Sequence, residues 1–356
     1  MARPKMEYYF GMKHLRAFLL SAGIVIFALP ASLFAHEVYV LSRDSVREAM
    51  SVQSPNPFQA YVGNEYQFYF WGIVSAIVFS TVVAASLFRV LERSVDPFLF
   101  VLKKYALPVA RVTVGLCFVA FAYSGNIYGS ELFLSEAFGT LAPALQLLIM
   151  ILGLCAIFGF ATRLAGLGML FLYFLSLGEI GSYVLTYTDF LGVALLLIIL
   201  GGGMFSLDEF FSLRTPRALS FTKHLTRLAF PILRICFGWG VLYASVYAKF
   251  IHSELALHVV REYDLTRFFP FDPLFVVLGA FIIEAIAGLM LIFGVAIRWT
   301  LLFLAFWLTL SLLYFQELIW PHGILFGLAT ALFLHGYDHF SLEGYVLKKG
   351  KREPVF

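Results

Sequence analysis

The sequence predicts an all-α, polytopic membrane protein with about ten transmembrane helices. Three observations predict it. First, 61% of the 356 residues are hydrophobic and 13% are charged, against roughly 45–50% and about 25% in soluble domains. Second, the apolar residues fall in continuous runs of about 20, the length a helix needs to cross a bilayer. They lack the period-2 alternation of a membrane β-barrel. Third, the charges fall between the runs. A soluble enzyme and a disordered chain are thereby excluded. A secreted disulfide scaffold is excluded as well, because Cys117, Cys155 and Cys236 all lie inside apolar runs. The basic residues form no single stripe, so no nucleic-acid partner is expected.

In chain order, the expected spans are roughly 15–35, 67–90, 107–128, 141–161, 164–183, 189–205, 230–251, 273–296, 299–318 and 321–338. Lys and Arg in the short loops set the orientation. Arg3, Lys5, Lys13 and Arg16 precede the first span. Arg89, Arg93, Lys103 and Lys104 follow the second, and Arg214, Arg217, Lys223 and Arg227 fill the central loop. Arg163 and Arg298 sit in tight turns, and Lys348, Lys349, Lys351 and Arg352 sit in the tail. All fall on one side if both termini are cytoplasmic in a plasma (inner) membrane. The opposite-side segment 129–140 has no basic residue.

Residues 12–35 read either as a first helix or as a signal peptide ending at Ala35. Cleavage there would leave His36 as a free amino-terminal histidine, whose amine and imidazole suit copper.

An internal duplication organises the rest. Pro108, Arg111, Gly115 and Ser130-Glu131-Leu132 match Pro231, Arg234, Gly238 and Ser253-Glu254-Leu255 at an offset of 123. Gly153, Gly159, Arg163 and Phe205-Ser206-Leu207-Asp208 match Gly288, Gly294, Arg298 and Phe340-Ser341-Leu342-Glu343 at an offset of 135. The difference places about 12 extra residues near 258–272 of the second copy. Four spans per copy give both copies the same orientation, a parallel repeat and not an inverted one. The expected organisation is an N-terminal two-span unit at 1–106, a four-helix module at 107–210, a basic linker at 211–228, a second module at 229–345, and a basic tail at 346–356.

The two copies can be compared with each other. Residues they share, such as Arg111/Arg234 and Arg163/Arg298, are read as holding the fold. The second copy alone carries Lys249 (against Asn126), Glu284 (against Ile149), His322 (against Tyr187), His335 (against Leu200), Asp338 (against Gly203) and His339 (against Met204). Glu284 lies at mid-span, where a carboxylate costs about 2.5–3.5 kcal/mol and so faces a cavity or a partner. Its expected partner is Lys249 or Arg234. The plainer reading is a neutral acid bonded to a neighbouring helix. Lys249 ends a span, where lysines also snorkel to headgroups.

His335 and His339 are four apart, a spacing that stacks both imidazoles on one helix face. With Asp338 beside them, they suit a metal or a quinone headgroup. Their plainer reading is a wetted membrane boundary. His322 belongs to the outer face and cannot reach His335, about 20 Å away along a helix. It could join His252 or His258 in an outer site; the plainer reading of those two, in the loop that bears the insertion, is polar loop residues. The glycines at 201–203 lack the Lys-Ser/Thr of a phosphate loop.

The pattern of Arg234, Gly238, Lys249, Glu284, Gly288, Gly294 and Arg298 resembles the DoxX/DoxD-like family of four-span membrane proteins. So does the ending of the first copy, Gly201-Gly202-Gly203-Met204-Phe205-Ser206-Leu207-Asp208. The resemblance covers about 108–208 and 231–343. It implies a subunit of a quinone-linked redox system, or a membrane partner of oxidative-stress enzymes. This chain departs from the family in being a tandem double, in lacking the Lys and Glu in its first copy, and in its preceding two-span unit.

The expected function is therefore a membrane subunit that passes electrons to quinone. Glu284 and Lys249 are the catalytic candidates, as proton acceptor and orienting cation. His335, His339, Asp338 and Arg234 are the candidates for holding the cofactor. The chain shows no electron carrier of its own, so a protein partner would bring the electrons. The alternative is a non-catalytic transporter or assembly partner for a small solute or a metal such as copper, held by His36 and His322. A structural scaffold is a third reading.

Overall fold

The computed structural model describes residues 41, 43–90, 92–212, 224–316 and 319–349. The expected first span at 15–35, and with it His36, lies outside them. The described helices are α1 (Arg43–Ser51), α2 (Glu65–Leu87), α3 (Glu92–Leu102), α4 (Ala106–Ser124), α5 (Ala142–Phe158), α6 (Thr162–Ile180) and α7 (Thr188–Leu200). They continue with α8 (Ala229–Val246), α9 (Ser253–Glu262), α10 (Pro273–Phe293), α11 (Ile297–Phe315), α12 (Ile319–His335) and α13 (Leu342–Lys349). Shorter helical turns connect some of them. Eight helical stretches among the described residues are long and apolar enough to cross a membrane, the first at Glu65–Leu87 and the last at Ile297–Phe315. Helix α12, with 17 residues, is at the short end of spanning length.

Two segments read as loops are ordered. Residues after Arg89 form α3, which brings Asp96 between Arg89 and Arg298. After α4, a hairpin pairs Asn126–Ile127 with Gly129–Phe133. Gly125, at φ +73°, ends α4 there.

The helices close on one another through glycine. A Cβ on Gly115 would lie 2.8 Å from the Gly153 carbonyl oxygen, and one on Gly153 would lie 2.8 Å from that of Gly115. Gly238 and Gly288 make the same approach, again at 2.8 Å. Bare backbone faces of this kind let α4 meet α5 and α8 meet α10, the usual device where lipid removes the hydrophobic drive for helix association. Helix α7 packs on α8, and α12 packs on α4. The last helix of each set of four thus lies against the first helix of the other set.

Arginines, three buried and Arg163 half-buried, satisfy carbonyls at or just past the helix ends. Arg111 donates to Gly202 O at 2.6 Å and to Phe205 O at 2.9 Å. Arg234 donates to Ile292 O at 2.8 Å and to Leu291 O. Arg163 reaches Ile199 O at 2.7 Å, and Arg298 reaches Phe333 O at 3.3 Å. Acidic residues cap the opposite kind of end. Asp208 accepts from Ala161 N at 2.7 Å and Thr162 N at 2.9 Å at the start of α6. Glu343 accepts from Ile297 N at 3.1 Å at the start of α11. Both turns pass through a left-handed alanine, Ala161 and Ala296, each at φ +47°.

Candidate functional site

Lys249 reaches its position through a change in helix type. Helix α8 runs to Val246 and then widens into one π turn over Tyr247–Ile251. His252 N donates to Tyr247 O, five residues back, at 2.9 Å. Such turns insert a residue and re-aim the side chains around it. At the matching place in the first copy, Gly125 stops the helix. Asn126 there donates its side-chain amide to Ser130 O at 2.9 Å, inside the hairpin. Ala248 stands where Gly125 would. Without that glycine the second helix continues and carries a lysine inward.

Glu284 sits at the middle of α10, which Asp272 caps by accepting from Leu274 N at 2.9 Å. Its Oε2 lies 2.9 Å from Lys249 Nζ, and both side chains are nearly buried (13% and 6% exposed). Its Oε1 accepts from the indole Nε1 of Trp307 on α11 at 3.3 Å. Of the two partners the sequence suggested, the structure brings up Lys249. Arg234 is held instead by Asp338, at 3.1 Å.

The pair lies in the wall of a cavity of about 1170 Å³, just above the roughly 300–1,000 Å³ usual for small-ligand sites. Apolar and aromatic side chains from α2, α8, α10 and α11 make most of its lining. The acidic and basic residues and histidines on it are Lys249, Glu284, His322 and Asp189. His322, 2% exposed, is in the first turn of α12. Asp189, 3% exposed, is in the first turn of α7. Three of the six residues peculiar to the second copy therefore share one cavity. Asp189 is the one the internal comparison passed over, because it belongs to the first copy, where Ile324 matches it. Its signal was a carboxylate at the start of an apolar run. Trp307 carried no signal beyond being one more aromatic in a chain that is 18% aromatic.

The inner group does not assemble as expected. Helix α12 ends at His335 because Gly336 turns left-handed at φ +78°. His339 lies beyond the helix, so the two imidazoles do not share a helix face. His335 stacks on Phe230, ring centres 3.9 Å apart and 7° from parallel. Asp338 holds the loop: it pairs with Arg234, accepts from Phe340 N at 2.8 Å, and its carbonyl accepts from Ser341 Oγ at 2.7 Å. This arrangement binds the chain to itself.

Two of the outer histidines have partners of their own. His252 lies against the Tyr247 ring at 4.6 Å, and burial pushes its imidazole below the ordinary value. His258 lies 3.8 Å from Glu254. Among the described residues, no three His, Cys, Asp or Glu side chains converge as a metal site. Set against family models, curated proteins and solved structures, the chain matches none.

Proposed function

We propose that this chain is an integral membrane subunit of a quinone-linked redox system, with Lys249 and Glu284 addressing the headgroup. In this reading it is built from two tandem, parallel DoxX-like modules at 107–210 and 229–345 behind an N-terminal unit, with both termini cytoplasmic. The recurrence of the glycine approaches, the acidic caps and the left-handed alanines at the two offsets of the sequence match, 123 and 135, supports the modules. The second module is the active one.

A single observation carries the reading: a nearly buried Lys249–Glu284 pair, bonded to Trp307, in the wall of a large apolar cavity. The residues fit a quinone. Its carbonyl oxygens need donors: the Lys249 ammonium carries three N–H groups, and the single indole N–H of Trp307, given to Glu284 at 3.3 Å, is exchanged to the head when one is seated. Its tail needs an apolar space. When bound, quinone supplies the two-electron acceptor, taking two electrons and two protons to become quinol. The electrons come from a partner protein. Glu284 holds and passes protons away from bulk water, the task an intramembrane carboxylate is suited to. Lys249 orients the head and balances the charge on Glu284.

The test is quinol formation by membranes containing the chain and its electron donor. Glu284→Gln keeps the shape and loses the proton site, so the rate falls at least tenfold, a loss of about 1.4 kcal/mol or more of transition-state stabilisation. An unchanged rate overturns the reading.

A further inference from the structure

Helix α2 is placed unlike any other long helix described here. Phe68, Trp71, Ser75 and Phe79 line the cavity, at the three- and four-residue spacing of one helix face. The helix is fastened near its ends. Ser86 donates to Glu343 at 2.6 Å, and Trp71 meets the Phe271 ring at 6.0 Å. Just before the helix, Phe58 packs edge-on to Phe281 of α10 at 6.4 Å. Between those points its side chains are exposed on both faces, Ile77 at 61% and Phe79 at 42%. The cavity is therefore a cleft between α2 and the α10–α11 wall, at the depth of the hydrocarbon. Two glycines look into it from opposite sides, Gly72 on α2 and Gly279 on α10. A Cβ added to either meets nothing within 4 Å.

We infer that the cleft between α2 and α10 is a tail groove, which takes a neutral, long-tailed lipophile from the bilayer and seats its head at Lys249 and Glu284. The seat for the head rests on the preceding proposal; the groove is a separate claim. Charge decides the class of head. Lys249 and Glu284 in contact sum to zero, so the seat they form offers hydrogen-bond donors and an acceptor without net charge of its own, and the further acid on the lining, Asp189, disfavours an anionic head as well. A neutral head with carbonyl or hydroxyl oxygens fits this better than a phosphate. The chain's own segment before residue 31 fits it less well, since Ser21 is the sole polar side chain between Ala17 and Pro30.

The groove is tested by filling it. The full chain in phosphatidylcholine nanodiscs is titrated with two probes, read by tryptophan quenching. One is a substituted benzoquinone with a decyl tail, and the other is the same head with a methyl in its place. Gly279→Phe is expected to weaken the decyl probe at least tenfold and the methyl probe less than twofold. Gly72→Phe fills the same space from α2 and is expected to do likewise, which covers the case in which one variant fails to fold. Glu284→Gln weakens both probes, so a failed headgroup site and a failed groove give different patterns. Unaltered decyl binding in a filled variant that melts like the parent overturns the groove. A benzophenone side chain at position 279, irradiated in membranes, supports the groove if it captures lipid or probe. It overturns the groove if it captures residues 15–35 of the same chain.

Discussion

At the scale of single residues, the contact between Lys249 and Glu284 has an energetic consequence that can be measured without any substrate. Both side chains are withdrawn from water and each is the other's counter-charge at 2.9 Å. Removing one partner leaves a buried charge without this counter-charge, which costs about 3–5 kcal/mol, whereas removing both is often close to neutral. Lys249→Met and Glu284→Leu are each expected to lower the unfolding midpoint in detergent strongly. The double variant is expected to recover most of the loss, a coupling that a double-mutant cycle reads directly. If the double variant is as unstable as the sum of the singles, the two charges do not depend on each other. This pair was legible in the sequence because a carboxylate in the middle of an apolar run has few ways to survive. The His335–His339 pair misled for an equally local reason. The four-residue spacing presumes a continuous helix, and Gly336, at φ +78°, breaks it between them.

At the scale of elements, Glu343 shows how a cap also becomes a tie. It caps α11 through Ile297 N and holds the end of α2 through Ser86. Burial pushes its carboxyl above the ordinary value of 4.5, with the two hydrogen bonds working against that rise. The folded protein therefore binds this proton more tightly than the unfolded chain does. The resulting stability is complete below the unfolded value and is lost as pH rises through the folded one. Glu343→Gln has no such proton to lose. Thermal-shift curves in a pH series are expected to show the parent losing stability relative to Glu343→Gln as pH climbs from 4.5. Parallel curves would mean that Glu343 titrates as it does in the unfolded chain. The span pattern made these helices readable, since apolar length alone separates them. Helix α3 and the π turn were not readable. One begins in a charged segment taken for a loop, and the other depends on the absence of a glycine at Ala248, visible only beside Gly125.

At the scale of the whole molecule, the sequence made the class of protein plain. It could not show how helices α4–α7 meet the four helices α8, α10, α11 and α12, because the contact is made by small residues without a hydropathy signal. Helix α7 lies so close to α8 that a Cβ on Gly192 would come within 2.7 Å of the Cys236 Cβ. Helix α12 lies so close to α4 that a Cβ on Gly327 would come within 2.2 Å of the Thr113 side chain. Two such seams, one at each side, join the four helices α4–α7 to the four helices α8, α10, α11 and α12. Close backbone packing of this kind is what holds helices together in lipid, so the halves are expected to associate without the covalent link at 213–223. Residues 1–212 and 224–356, co-expressed as separate chains with a tag on one, are expected to purify together from membranes. Gly327→Leu wedges the α12–α4 seam, and with Gly192→Leu added both seams open and recovery of the untagged half falls, the ties of Asp96 to Arg298, Ser86 to Glu343 and Phe58 to Phe281 being what still holds it. Should the split halves fail to co-purify without either substitution, the linker and not the seams is what keeps the halves together.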